Sequence, residues 1–195
     1  MNALLIGMLM AALAAAFVQW RRLRALRREA YIRTMVLPKG LFEKLVARHP
    51  QLGTKDCQLV AQGLRQFFLA YLKSGRRFVA MPSQVVDDLW HEFILCTRSY
   101  DHFCRHAFGG FLHHTPAVIL GSDSKVNEGL HRCWNFACRE ENISPRNPTR
   151  LPLLFALDAK LNIHKGYTYL PDCSGVRRQT AGDSATAGSS PHCAG

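Results

Sequence analysis

The chain contains no C-x-x-C pair, no H-E-x-x-H and no G-x-S-x-G. It also has no phosphate-cradling glycine loop and no dinucleotide fingerprint. These absences exclude paired-thiolate zinc modules, zincin proteases, nucleophile-elbow hydrolases, and the common nucleotide folds, because each needs those residues at that spacing. His91-Glu92 opens like the zincin motif, but position 95 is Leu. Acids are scarce, with 14 Asp and Glu against 25 Lys and Arg and a formal net charge of +11. A nucleic-acid surface would need that basicity interleaved with aromatics on the folded domain. No such stripe exists, and nucleic acid is not an expected partner. About half of the surplus is instead local: Arg21, Arg22, Arg24, Arg27, Arg28 and Arg33 face a single acid, Glu29.

Cysteine is present but unpaired in pattern. Cys57, Cys96, Cys104, Cys133, Cys138, Cys173 and Cys193 are odd in number and irregular in spacing. That argues against a disulfide framework and fits a reducing cytoplasm. Cys104 falls on the apolar side of its predicted helix, away from His91, which argues against a cysteine nucleophile.

The basic arm follows an apolar run. From Met1 to Trp20 only Asn2 and Gln19 are strongly polar. At about 1.5 Å per residue, about 20 helical residues span the ~30 Å hydrocarbon core of a bilayer. Trp20 then marks the interface, with Arg21, Arg22 and Arg24 directly beyond it. Ala14-Ala15-Ala16 looks like a signal-peptidase site, but a signal peptide carries its positive charge before the apolar run, and here the charge comes after. The expectation is a single-pass anchor in the inner (cytoplasmic) membrane, with the C-terminal part facing the cytoplasm.

The rest of the chain reads as helices. Leu41, Phe42, Leu45 and Val46 have helical spacing up to His49-Pro50. Thr54 is expected to cap a helix that runs to a stop at Gly75. Ser83 caps a central helix predicted to continue unbroken to Gly109-Gly110. Its apolar side includes Val85, Val86, Leu89, Phe93, Tyr100, Phe103 and Cys104, and its polar side includes Asp87, His91, Arg98 and His102. Thr115-Pro116 reads as a cap and first helical residue. Ser124 opens a further helix with Val126, Leu130, Cys133, Trp134, Ala137 and Cys138 inside. The stretch from Asn147-Pro148 to Pro152 opens another through Leu161, and Tyr167 to Leu170 is a short extended piece. The fold class is therefore all-α, a bundle-like domain behind one transmembrane helix. The expected division is an anchor over 1–20, a basic juxtamembrane helix over 21–36, a helical domain over 37–173 and a Gly/Ser/Ala/Thr-rich disordered tail over 174–195.

Chemistry concentrates between Met81 and Pro116. Asp87 and His91 stand four apart on one helix face, where a carboxylate orients an imidazole as a metal ligand or base. A reversal at Gly109-Gly110 can return His113 or His114 to His91. Two or three histidines with an acid suit a divalent ion such as zinc. The competing reading is a solvated polar stripe on the first face and a simple turn at His113-His114. Trp90 and Trp134 are read as core or core edge.

The same residues carry a resemblance. Met81-Pro82-Ser83, Val86-Asp87, Trp90 to Leu95, Tyr100, Phe103-Cys104, Phe108-Gly109, His113 to Pro116 and Leu151 to Asp158 are similar to the bacterial glycine-rich domain-containing protein-like family. That family, of unknown function, implies no reaction. It groups Asp87, Trp90, His91, His113 and His114 as one motif, with Cys104 in support. It also implies a Gly- and Cys-rich tail, whereas this chain ends at Pro191-His192-Cys193-Ala194-Gly195. The functional expectation is a membrane-anchored interaction or accessory module with an unidentified protein partner. The alternative is a metal-dependent enzyme, a hydrolase, using His91 with His113 or His114.

Overall fold

The computed structural model describes residues 2–114, 123–172 and 175–178. Among them are seven helices and one hairpin: α1 (Asn2–Arg33), α2 (Leu41–Arg48), α3 (Thr54–Lys73), α4 (Gln84–Leu95), α5 (Thr97–Phe108), α6 (Asp123–Glu140), α7 (Leu153–Lys160), β1 (Tyr169–Asp172) and β2 (Gly175–Arg178).

Helix α1 fuses the expected anchor and basic arm into one rod. Its segment from Leu5 is apolar and long enough to cross a membrane, and none of that window is buried against the protein. Phe17 and Trp20 stack with ring centroids 6.0 Å apart. The Arg24 guanidinium lies 5.2 Å from the Trp20 ring and that of Arg21 lies 5.9 Å from Phe17. Aromatic bodies tipped with arginine are the side chains an interface favours.

The last turn of α1 leaves this exposed regime. Ile32 is fully buried and Met35 nearly so, and Tyr31 stacks on Phe103 of α5. The folded core thus begins before residue 37, the boundary expected from the Leu37-Pro38 break. Arg33 pairs with Glu29 and Glu140, and Lys73 bridges the same two carboxylates. Burial opposes the charge on Glu140, but hydrogen bonds from Arg33 and Lys73 outweigh it and hold the carboxyl below its ordinary value.

Helix α3 is the central element, touching α1, α2, α4, α6 and α7. Val60, Leu64, Phe67 and Phe68 form its buried stripe. Gly63 is where α4 and α7 close in: a Cβ there would meet Leu157 Cδ1 at 2.5 Å and Val86 Cγ2 at 3.1 Å. The cap differs from expectation. Gly53 occupies the N-cap, and the Asp56 carboxylate reaches back to accept from its N–H at 2.9 Å, so Thr54 is the first helical residue. Gly75 ends the helix with φ +73°, as its position after Ser74 predicts.

The unbroken central helix does not form. Cys96, with φ −78° and ψ 57°, closes α4 and opens α5. Continuous helical spacing would have kept both apolar faces in line. Packing instead bends the chain so that Phe93 on one side and Tyr100 and Phe103 on the other meet in a single aromatic cluster. His102 therefore belongs to a different helix from His91, where its ring lies 4.1 Å from His106.

Leu130, Cys133, Trp134, Ala137 and Cys138 are buried along α6, as predicted. Helix α7 begins at Leu153, later than the Asn147-Pro148 opening, with Pro152 at its N-cap. The extended piece near Tyr169 is one strand of an antiparallel hairpin, with Tyr169 opposite Arg178 and Asp172 opposite Gly175. Gly175–Arg178 is thus a strand inside the segment expected to be disordered. The rest of that tail, the Thr115-Pro116 cap, Cys173, Cys193 and the side chain of Val126 lie outside the described residues. The five described cysteines are free thiols. Burial raises the Cys133 thiol and pushes that of Cys138 up to about 12, so both are inert packing groups.

Candidate functional site

The site rests on the start of α4, which is held by a carboxylate from α7. Asp158, 2% exposed, accepts from Ser83 Oγ at 2.7 Å, from the backbone N–H of Gln84 at 2.7 Å and Val85 at 3.2 Å, and from Tyr167 N–H at 2.8 Å. Ser83 Oγ in turn accepts from Val86 N–H at 3.4 Å. A helix N-terminus offers unpaired N–H groups and a positive dipole end, so a buried carboxylate is stable there. This clamp fixes the first turn of α4, and with it Asp87.

Asp87 and Asp88 then diverge. Asp88 is 7% exposed and faces α2, where its carboxylate accepts from Arg48 Nη1 at 2.7 Å and contacts His49 Nε2 at 2.8 Å. Asp87 faces outward. Its Oδ2 lies 3.8 Å from His91 Nδ1, one helical turn on, which is beyond a hydrogen bond.

The third member arrives from the far end of α5. Gly109, in the left-handed region at φ +76°, ends α5 and lets the chain reverse. The returning segment is pinned by Tyr100, whose hydroxyl donates to Leu112 O at 2.6 Å and accepts from Trp90 Nε1 at 3.1 Å. Burial raises the Tyr100 pKa, so the hydroxyl stays a donor. Two residues later, His114 Nε2 meets Asp87 Oδ1 at 2.9 Å. The His114 ring sits edge-on to Trp90 at 4.6 Å and tilted against His91 at 4.3 Å.

Asp87, His91 and His114 thus offer one carboxylate oxygen and two imidazole nitrogens within 4.8 Å of one another. Among the described residues this is the one group of three or more His, Cys, Asp or Glu side chains so arranged. His114 is the most enclosed, with 14% side-chain exposure, and His91 the most open, with 42%. One wall is therefore fixed against Trp90 and the other faces solvent. Two nitrogens and one oxygen are a donor set that suits a borderline divalent ion. Asp87, His91 and His114 are the residues that would hold such an ion, which would supply Lewis-acid chemistry at this corner.

Of the other residues singled out by sequence, His113 is exposed and turns away, its ring 4.9 Å from Phe111. Trp90 is core, packed on Phe67 and Phe68, and also a positioning group through Tyr100. Cys104 is fully buried, and burial raises its thiol despite the Leu112 N–H and the Tyr100 hydroxyl. Its role is packing behind the returning segment.

Asp158, Tyr100, Asp88 and His49 act as positioning residues that their local sequence pattern does not mark. Asp158 is the partial exception, being the acid at the end of the apolar run Leu153 to Leu157.

A family model described as UCP032817-like matches residues 27–195, and the chain belongs to this uncharacterized family. The match overturns the resemblance to glycine-rich domain-containing proteins drawn from the segment around Trp90 and His91. In the segment around Trp90 the Trp packs in the core while Asp87 and His91 lie outside, a local arrangement that does not by itself mark a family. The match includes the end of α1, consistent with Ile32 being core. No curated protein and no solved structure matches the chain.

Proposed function

We propose that this UCP032817-like protein is a membrane-anchored accessory domain that works through the Asp87–His91–His114 corner, and that the corner takes a divalent ion such as zinc. The observation that carries the reading is the convergence of His114 on Asp87 and His91 from a separate segment, held there by the Trp90–Tyr100–Leu112 relay. Helix α1 supplies the anchor. The arginines after Trp20 orient it by the positive-inside rule, in the inner membrane with the domain in the cytoplasm.

The open side at His91 leaves room for a water or a ligand on the ion. That favours, as the second reading, a metal-dependent hydrolase, in which Asp87, His91 and His114 would hold the ion and the ion would supply an activated water. Without an ion, the same corner is a polar contact surface for a protein partner.

The test is elemental mass spectrometry on the full chain in detergent, without affinity-tag histidines, comparing wild type with His91→Ala. The expected result is a near-stoichiometric divalent ion in the wild type that is lost in the variant. Because the His91 side chain is 42% exposed, the substitution is expected to change stability by less than about 1 kcal/mol. A wild type free of metal after equilibration with zinc would sink the metal reading and leave the partner surface.

A further inference from the structure

A second site lies away from the histidine corner, between the α1–α2 connection and α3. It is a cavity of about 460 Å³, within the size range of small-molecule pockets. Val36, Leu37, Pro38 and Phe42 give it an apolar wall, with Ala61 behind. Val36 is 90% exposed, an unusual position for a large aliphatic side chain directly beside a cavity.

The polar feature of this cavity is Arg65. It is half-buried on α3, and its Nη2 donates to Met35 O at 3.1 Å, which pins the guanidinium to the connection. Its Nε is buried with no hydrogen-bond partner. Among the described residues no carboxylate pairs with it, and burial alone lowers its pKa. A partly buried guanidinium without a counter-charge is costly, and most proteins pair it. Two other charges line the cavity. Lys39 and Glu43 are both exposed, so water screens them and they roughly offset each other. The unbalanced charge of the cavity is that of Arg65.

We propose that this cavity binds a small apolar carboxylic acid, its carboxylate on Arg65 and its hydrocarbon body along Val36, Leu37, Pro38 and Phe42. Guanidinium and carboxylate match in charge and in planar geometry. The apolar wall gains by covering exposed aliphatic surface. The site is independent of any ion at Asp87.

Octanoate is the probe. Its binding to the full chain in nanodiscs is measured by titration calorimetry, with every variant in discs of the same lipid so that partitioning into the bilayer cancels. Wild type is expected to bind saturably. Arg65→Gln should weaken binding about tenfold or more, the effect of losing a charge-assisted contact. Val36→Glu places a competing charge on the exposed wall without touching the core, and should also weaken it. Glu43→Gln should tighten it, by roughly twofold, since a screened repulsion is removed. Val36→Glu keeps the test intact where Arg65→Gln loosens the connection by releasing Met35. Absence of saturable octanoate binding overturns the proposal, as does binding that neither Arg65→Gln nor Val36→Glu alters. Inorganic phosphate binding in octanoate's place overturns the apolar part of the assignment.

Discussion

Asp158 and Asp87 are both carboxylates beside the first turn of α4, and they have opposite characters. Asp158 is enclosed and accepts four hydrogen bonds. It has no acceptor capacity left to offer. Asp87 makes one short contact, to His114, and a long one of 3.8 Å to His91, with 22% of its side chain exposed. The difference separates a carboxylate that builds structure from one with capacity in reserve. The first is saturated by fixed donors from the fold. The second is held in place by its neighbours and still has room for a ligand that none of them supplies.

Substitution at Asp158 should give the largest effect. Asp158→Ala leaves the N–H groups of Gln84, Val85 and Tyr167 and the Ser83 hydroxyl without their acceptor in a dry site. Chemical denaturation is expected to show a loss of about 2–4 kcal/mol, against under about 1 kcal/mol for His91→Ala. Equal losses at the two positions would erase the contrast between structural and working groups.

Tyr100→Phe sharpens the comparison from the other side. It removes one hydroxyl and strands both Trp90 Nε1 and Leu112 O, at an expected cost of about 1–3 kcal/mol. It should also free the segment carrying His114, so the zinc affinity proposed for the corner should fall although none of Asp87, His91 and His114 has changed. Histidine ring signals in NMR spectra would report the release. Unchanged His114 signals would show that packing on Trp90 alone holds the ring.

The smallest effect concerns the junction between α1 and the rest of the fold. The folded-state pKa of Glu140 is lowered, so its contribution is fully present above the ordinary glutamate range. That contribution fades as pH falls through this range and is gone once the pH drops below the lowered folded value. The protection factors of the Tyr31 and Ile32 amides, taken relative to their intrinsic exchange rates at each pH, should therefore fall on mild acidification, and Glu140→Gln should make that fall smaller. Protection factors there that are flat with pH in the wild type would show that Ile32 burial alone docks the helix.

Much of this was legible from local pattern. The apolar run ending in Trp20 and six arginines, the helical spacing of α2, α3 and α6, the Gly75 and Gly109 stops and the Asp87–His91 pair all follow from neighbours a few residues apart. Three things were not. The break at Cys96 has no proline or glycine to announce it, because it is imposed by aromatic packing among Phe93, Tyr100 and Phe103. The choice of His114 over His113 depends on which of two adjacent side chains the Tyr100–Leu112 bond turns inward. His49 lies 39 residues from Asp88, and Ser83 lies 75 residues from Asp158.

The sequence by itself determined the long apolar N-terminal helix, the other helices and their apolar faces, since these rest on hydropathy and on periods of a few residues. Only the tertiary structure decided which polar groups meet. That choice depends on long-range contacts, such as α7 against α4 and the returning segment against Trp90, which surround Asp158 with donors and give Asp87 a single short contact, to His114.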